Sequence, residues 1–283
     1  MTTDESVGAR PAGRAPTPAE RVPLLRLEKV TKNFGPVSAL TDINLDIYPG
    51  EVTALVGDNG AGKSTTIKTI SGIWQPDSGQ MYWDGQTIHI RSPRDASALG
   101  IATMYQDLAL ADNLDIVQNM FLGRELRQFG LLDEDAMETE ARKTLSDLHV
   151  TTVRSIRQPV GSLSGGQRQA VAVARAVLQD AKLVIMDEPT AALGVSQTAM
   201  VLNLVRRLRD SGVAVLLISH NLVDVFSVAD HLAVLYLGQM ARVMPASEVD
   251  TQGAVELITT GGLAGVAMPD GGRGGRGASN GDN

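Results

Sequence analysis

Short apolar runs alternate with stretches of helical periodicity along most of the chain. Residues 24–30 and 40–47 interleave apolar and polar side chains and carry β-branched positions, which predicts two strands. Residues 52–56, 101–105, 183–186, 213–218 and 232–235 are almost wholly apolar and strand-sized. Helical patterns at 165–179, 196–210, 221–229 and 247–259 fill the gaps, and a further helix opens at Gly62 behind a Gly-rich loop. Apolar strands separated by helices predict an α/β fold built on a mostly parallel sheet covered on both faces. Residues 107–163 show no buried strand. Helical pieces at 114–121 and 134–148, joined by polar links, predict a small helical subdomain there.

Residues 1–22 and 262–283 are rich in Gly, Ala, Pro, Arg and Asp with almost no large apolar side chains, and are expected to be solvated tails around a domain at 23–261. The whole chain has 283 residues, 43% of them apolar, with mean hydropathy near zero, which excludes wholesale disorder. A net charge of −7 offers no global positive field, so no nucleic-acid partner is expected. Without cysteine there is no disulfide, thiolate metal site or thiol nucleophile. No apolar run approaches the roughly 20 residues that cross a bilayer. The first residues lack the basic start and apolar block of a secretory signal, so a soluble cytoplasmic protein is expected.

Candidate chemistry begins after the strand at 52–56. Gly57-Asp58-Asn59-Gly60-Ala61-Gly62-Lys63-Ser64-Thr65 fits G-x-x-x-x-G-K-[ST] between a strand and a helix. Glycines let bare backbone wrap a phosphate chain and aim N–H groups inward, and the helix N-terminus adds its positive dipole end. Lys63 is expected on the β- and γ-phosphates, and the Ser64 hydroxyl on Mg²⁺. Asp187 and Glu188 stand at the C-terminal end of the apolar run 183–186, the lip where open α/β sheets bind ligands. Asp187 is expected to hold Mg²⁺ through water, and Glu188 to serve as general base to the attacking water. Leu163-Ser164-Gly165-Gly166-Gln167 opens the helical pattern at 165–179. It is a second helix N-terminus with a Ser and bare backbone, suited to another chain's γ-phosphate and equally to Ser164 acting as the helix cap.

With these motifs in this order, residues 24–260 closely resemble the ATP-binding subunit of ABC transporters. The resemblance implies a P-loop NTPase (RecA-like) core with an antiparallel β subdomain and a helical subdomain, with ATP and Mg²⁺ bound. It implies that Gln106 ligates Mg²⁺ and senses a transmembrane partner, that His220 contacts the γ-phosphate, and that Phe34 stacks on adenine. Gly194 departs from the family, which usually has Asp there to couple two sites across a dimer.

Three stretches look like the monosaccharide-import branch: 119–125, 169–175 and 190–194. The resemblance therefore implies a cytoplasmic-face subunit that powers sugar entry through an integral membrane permease, served by an external sugar-binding protein. Each chain carries half of two sites, so a second ATP-binding subunit, expected to be another copy with a different subunit as the alternative, sandwiches the ATP. An importer of another cargo, such as an amino acid, is an alternative, as is a regulatory subunit with weak hydrolysis. Chromosome or DNA-repair ATPases share the motifs but insert long heptad coiled coils between them. Here about 100 residues without sustained heptads fill that gap.

Overall fold

The computed structural model describes residues 21–105, 107–150 and 152–262. The expected tails therefore fall almost wholly outside the described residues, as does Gln106. Arg21 is described, and its guanidinium pairs with Glu51 and lies over the Tyr48 ring.

In chain order the elements are β1 (Leu25–Phe34), β2 (Val37–Ile47), β3 (Val52–Gly57), α1 (Lys63–Ile70), β4 (Ser78–Trp83), β5 (Gln86–Ile88), α2 (Pro93–Leu99), β6 (Ile101–Met104) and α3 (Ile116–Phe121). Then come β7 (Arg127–Gln128), β8 (Leu131–Leu132), α4 (Glu134–Asp147), α5 (Gly165–Leu178), β9 (Leu183–Asp187) and α6 (Val195–Asp210). The chain continues with β10 (Ala214–Ile218), α7 (Leu222–Val228), β11 (His231–Tyr236), β12 (Gln239–Pro245) and α8 (Thr251–Thr260).

The main sheet runs β12-β11-β3-β10-β9-β6, with only β12 antiparallel to its neighbour. Its inner strands are buried on both faces, which is why they read as unbroken apolar runs. A second, antiparallel sheet, β2-β1-β4-β5, matches the expected β subdomain. One large core lies between that sheet and the main sheet, and includes Leu25, Ile43, Ile67, Leu183 and Leu216.

The other face of the main sheet is covered by α5, whose Ala170, Val171 and Ala174 are fully buried. Against α5 pack Ile116, Val117, Met120 and Phe121 of α3 and Met137, Ala141 and Leu145 of α4, in one continuous core with Val184 and Met186 of β9. The helical part thus shares the main core and has none of its own. Among the described residues its only strands are the exposed pair β7–β8, which carries Phe129 at its turn, 98% exposed.

Two expected boundaries differ. The strand pair at 24–30 and 40–47 extends to a tight hairpin in which Phe34 opposes Val37. The helix expected at 247–259 begins at Thr251, because the Asp250 side chain caps it by accepting from Gly253 N–H at 2.8 Å.

Candidate active site

Parallel register gathers the strand ends on one lip: Leu235 lies opposite Gly57, and Ile218 opposite Asp187. From β3 the chain enters the 57–65 loop. Gly62, just before α1, has φ 108, and a Cβ there would lie 2.9 Å from the Ala39 carbonyl oxygen and from the Leu40 and Leu235 side chains. Only glycine fits. The loop is also fastened from outside, since Gly238 N–H donates to Ala61 O at 3.0 Å while Thr41 N–H donates to Gly238 O at 2.7 Å. Lys63 Nζ donates to the carbonyls of Gly57 and Asp58 at 2.7 and 3.0 Å, which holds the ammonium across the loop.

Asn59, Gly60, Gly62, Lys63, Ser64 and Thr65 line a cleft together with Asp187, Glu188, Ile218 and Ala39. Desolvation of half-buried Asp187, and then the charge of Glu188 beside it, hold its carboxyl above the usual carboxylate range, while Lys63 and Lys68 pull it back. A cation there would relieve both effects. Ser64 and Asp187 both line this cleft and are hard oxygen donors, the donor type that Mg²⁺ takes.

Glu188 occupies the left-handed region at φ 53. Such backbone costs on the order of 1–3 kcal/mol and persists only where surrounding contacts fix it. Here Glu188 N–H donates to Ile218 O at 2.9 Å, and the carboxylate Oε2 lies 2.7 Å from His220 Nδ1 and accepts the His220 backbone N–H at 3.4 Å. The rest of the His220 ring is open, with the side chain 75% exposed. The geometry therefore places a carboxylate, steadied by an imidazole, at the rim of a cleft lined by phosphate-loop backbone. That arrangement suits proton abstraction from a water attacking a bound phosphate.

The remaining expected residues lie elsewhere on the chain. Phe34, 40% exposed, meets Trp74 edge-on with centroids 4.6 Å apart, and neither ring lines the cleft. Ser164 caps α5 in a reciprocal box: Gln167 N–H donates to its hydroxyl at 3.4 Å, and Ser164 N–H donates to Gln167 Oε1 at 2.9 Å. The Gln167 amide nitrogen donates to Thr152 O at 2.7 Å, so that side chain is committed to shaping the turn. Gly166 packs closely on α6, where a Cβ would lie 2.6 Å from the Met200 methyl and 3.1 Å from Gln197 Cβ. This second motif does not line its own chain's cleft.

Three contacts around the site had no sequence signal. Ala39 enters the cleft from β2. Tyr105, next to Gln106, shares a 2.8 Å hydrogen bond with Ser71 beyond α1. Arg175 of α5 donates to the carbonyls of Leu108 and Ala109, and its burial lowers the guanidinium pKa from the ordinary arginine value. In the stretch 119–125, Asn119 is a buried clamp: it donates to the carbonyls of Ala111, Leu114 and Asp115 and accepts from Ala111 N–H. Arg124 reaches the Ser97 hydroxyl at 2.9 Å, tying the helical part to α2.

A family model described as ABC transporter matches residues 40–191, from β2 through the phosphate loop, the second motif and the Asp187-Glu188 pair. The chain belongs to the ABC transporter family. Its relatives in that family include Fructose import ATP-binding protein FrcA of Rhizobium meliloti, 47% identical over 84% of this chain and 94% of that protein. Xylose/arabinose import ATP-binding protein XylG of Sulfolobus acidocaldarius is 46% identical, with the same two coverages. Ribose import ATP-binding protein RbsA of Jannaschia sp. is 41% identical over 86% of this chain, which spans only 47% of that longer protein. Among solved structures, an ATP-binding cassette of an ABC transporter in its ADP conformation superposes with a TM-score of 0.70 at 27% identity, covering 84% of this chain and 95% of the cassette. The cbiO1 subunit from Clostridium perfringens, part of the ABC transporter complex cbiONQ, gives 0.71 at 27% identity, covering 83% and 93%. The fold is that of an ABC ATPase cassette, a nucleotide-binding and ATP-hydrolysing domain.

Proposed function

We propose that this ABC ATPase powers import of a monosaccharide through a membrane permease, sitting peripherally on the cytoplasmic face and cleaving ATP between two copies of itself. The observation that carries the catalytic half is the Glu188–His220 contact at the rim of the phosphate-loop cleft. Fructose, xylose/arabinose and ribose import relatives support the cargo class. An external sugar-binding protein would deliver that cargo to the permease.

In this reading the backbone N–H groups of 59–65 and Lys63 hold the β- and γ-phosphates. Ser64 and Asp187, with Gln106, would hold Mg²⁺, which when bound neutralises phosphate charge. Glu188 accepts the proton of the attacking water. His220 steadies that carboxylate through Nδ1 and turns its open side to the γ-phosphate. Phe34 takes the adenine. Ser164 and the Gly165 and Gly166 backbone, shaped by Gln167, complete the cleft of the second copy. That the second motif does not line its own chain's cleft supports pairing of two copies. ATP closes the pair, and loss of the γ-phosphate removes the contacts that held it closed.

Gly194 favours a second reading, a regulatory subunit with weak hydrolysis. Steady-state ATP turnover separates the two. Glu188→Gln should bind ATP with turnover lost, and Lys63→Ala should weaken ATP affinity sharply. Wild-type turnover in Glu188→Gln would refute the base, and unchanged affinity in Lys63→Ala would refute the phosphate loop. Labelled fructose, ribose and xylose uptake into vesicles with the permease tests the cargo.

A further inference from the structure

We propose that Thr190 and Asp224 form a positioning pair that holds the His220 loop against Glu188 during hydrolysis, an assignment resting on the roles given to those two residues above. The Thr190 hydroxyl donates to Asp224 Oδ2 at 2.8 Å. Asp224, 7% exposed, is the only fully buried charged side chain among the described residues. A buried carboxylate is costly to desolvate, and an apolar residue would fill the same space at less cost. Its position therefore calls for a reason beyond packing.

The topology supplies one. Thr190 lies two residues past Glu188 on the link from β9 to α6, and Asp224 lies in the first turn of α7, four residues past His220. The same two loops are thus joined twice, once by Glu188 with His220 and once by Thr190 with Asp224. The first contact is made by an imidazole whose side chain is largely exposed. The second is part-buried, with Asp224 inside the protein and Thr190 half-buried, and sets the spacing of the loops.

Short local bonds pass that spacing on. On one side Ala191 N–H donates to Glu188 O at 3.1 Å, closing the turn that contains Thr190. On the other, Asn221 N–H donates to the Ser219 hydroxyl and the Asn221 side chain accepts from Val223 N–H, so His220 sits between a strand end and a capped helix. The N-terminal end of α7 favours the Asp224 charge. Moving the first turn of α7 would carry His220 away from Glu188 without touching the phosphate loop.

The test is ATPase kinetics of the purified full chain with Thr190→Val, which keeps the side-chain shape and deletes the donor. Displacement of a catalytic group by about 1 Å costs on the order of a hundredfold in rate. The expected result is a fall in kcat of about ten- to a hundredfold with KM for ATP within about twofold of wild type, and recovery in Thr190→Ser. In a double-mutant cycle, Thr190→Val should add no further loss to His220→Ala, because the pair acts through that imidazole. Thr190→Ala carries the same cycle if valine is not accommodated. Wild-type kcat in Thr190→Val, or losses that multiply in the double variant, would overturn the proposal. If Glu188→Gln is inactive while Thr190→Val turns over normally, only the positioning pair falls. If Glu188→Gln itself keeps wild-type turnover, the underlying catalytic assignment falls instead.

Discussion

Replacing Gly194 with Asp should raise the stability of the protein. Gly194 is the N-cap of α6, with φ −73 and ψ 163, an extended backbone that any L-residue adopts. No side chain caps this helix, its first turn holds no acid, and a Cβ at Gly194 would meet no atom within 4 Å. Three effects add. Fixing a glycine backbone with a side chain gives about 0.4–1 kcal/mol. A better cap than glycine gives a few tenths. A carboxylate at the positive end of a 16-residue helix gives about 0.3–1 kcal/mol. The sum, about 1–2 kcal/mol, corresponds to roughly 2–8 °C in Tm for a domain of this size. Calorimetry at low ionic strength is the assay, with Gly194→Ala and Gly194→Asn as controls. Alanine gains the backbone term and loses the cap, so it should be near neutral. Asparagine should fall between alanine and aspartate, and salt should close its gap to aspartate. A Tm for Gly194→Asp at or below wild type would refute this reasoning. ATP turnover of the same variant shows whether a carboxylate here also speeds hydrolysis.

Because Asp187 is held above its ordinary pKa, the folded chain binds its proton more tightly than the unfolded chain. Its ionisation therefore lowers stability as pH rises from the unfolded value through the folded one. Asp187→Asn should raise Tm at pH 7, with the gain closing below about pH 4, the ordinary range of the group; thermal melts across pH check this. Asn119→Ala should cost about 2–4 kcal/mol in urea unfolding, since it orphans a buried N–H and its carbonyl partners. Gly62→Ala should abolish binding of a fluorescent ATP analogue, because the methyl would strike the Ala39 carbonyl and the phosphate loop would shift.

What the sequence disclosed was whatever is encoded locally. The phosphate loop reads directly because its glycines and lysine answer one local demand, and the buried strands read as apolar runs because both their faces are covered. β4 and β5 carry no such signal: Ser78, Gly79 and Gln80 are exposed, and β4 takes its place from pairing with β1 and β5 from pairing with β4. Contacts between distant residues were equally silent. Arg175 finds Leu108 across 67 positions and Thr190 finds Asp224 across 34, and neither side chain differs in type from a solvated one. The Gln167 side chain gave no clear signal for a related reason. A carboxamide beside a glycine pair fits a ligand or a cap equally well, and its geometry here belongs to the cap.

One helix has mechanical consequences. α5 presents Ser164 at its start and, near its end, grips through Arg175 the two carbonyls that follow the Gln106 segment. Fourteen residues at 1.5 Å each make a rod of about 20 Å, buried along most of one side. In the proposed pairing, a pull on its front by the other copy's phosphate would reach its back as a tilt of the whole helix. News of nucleotide would then travel toward the membrane as leverage, without a relay of rearranging side chains.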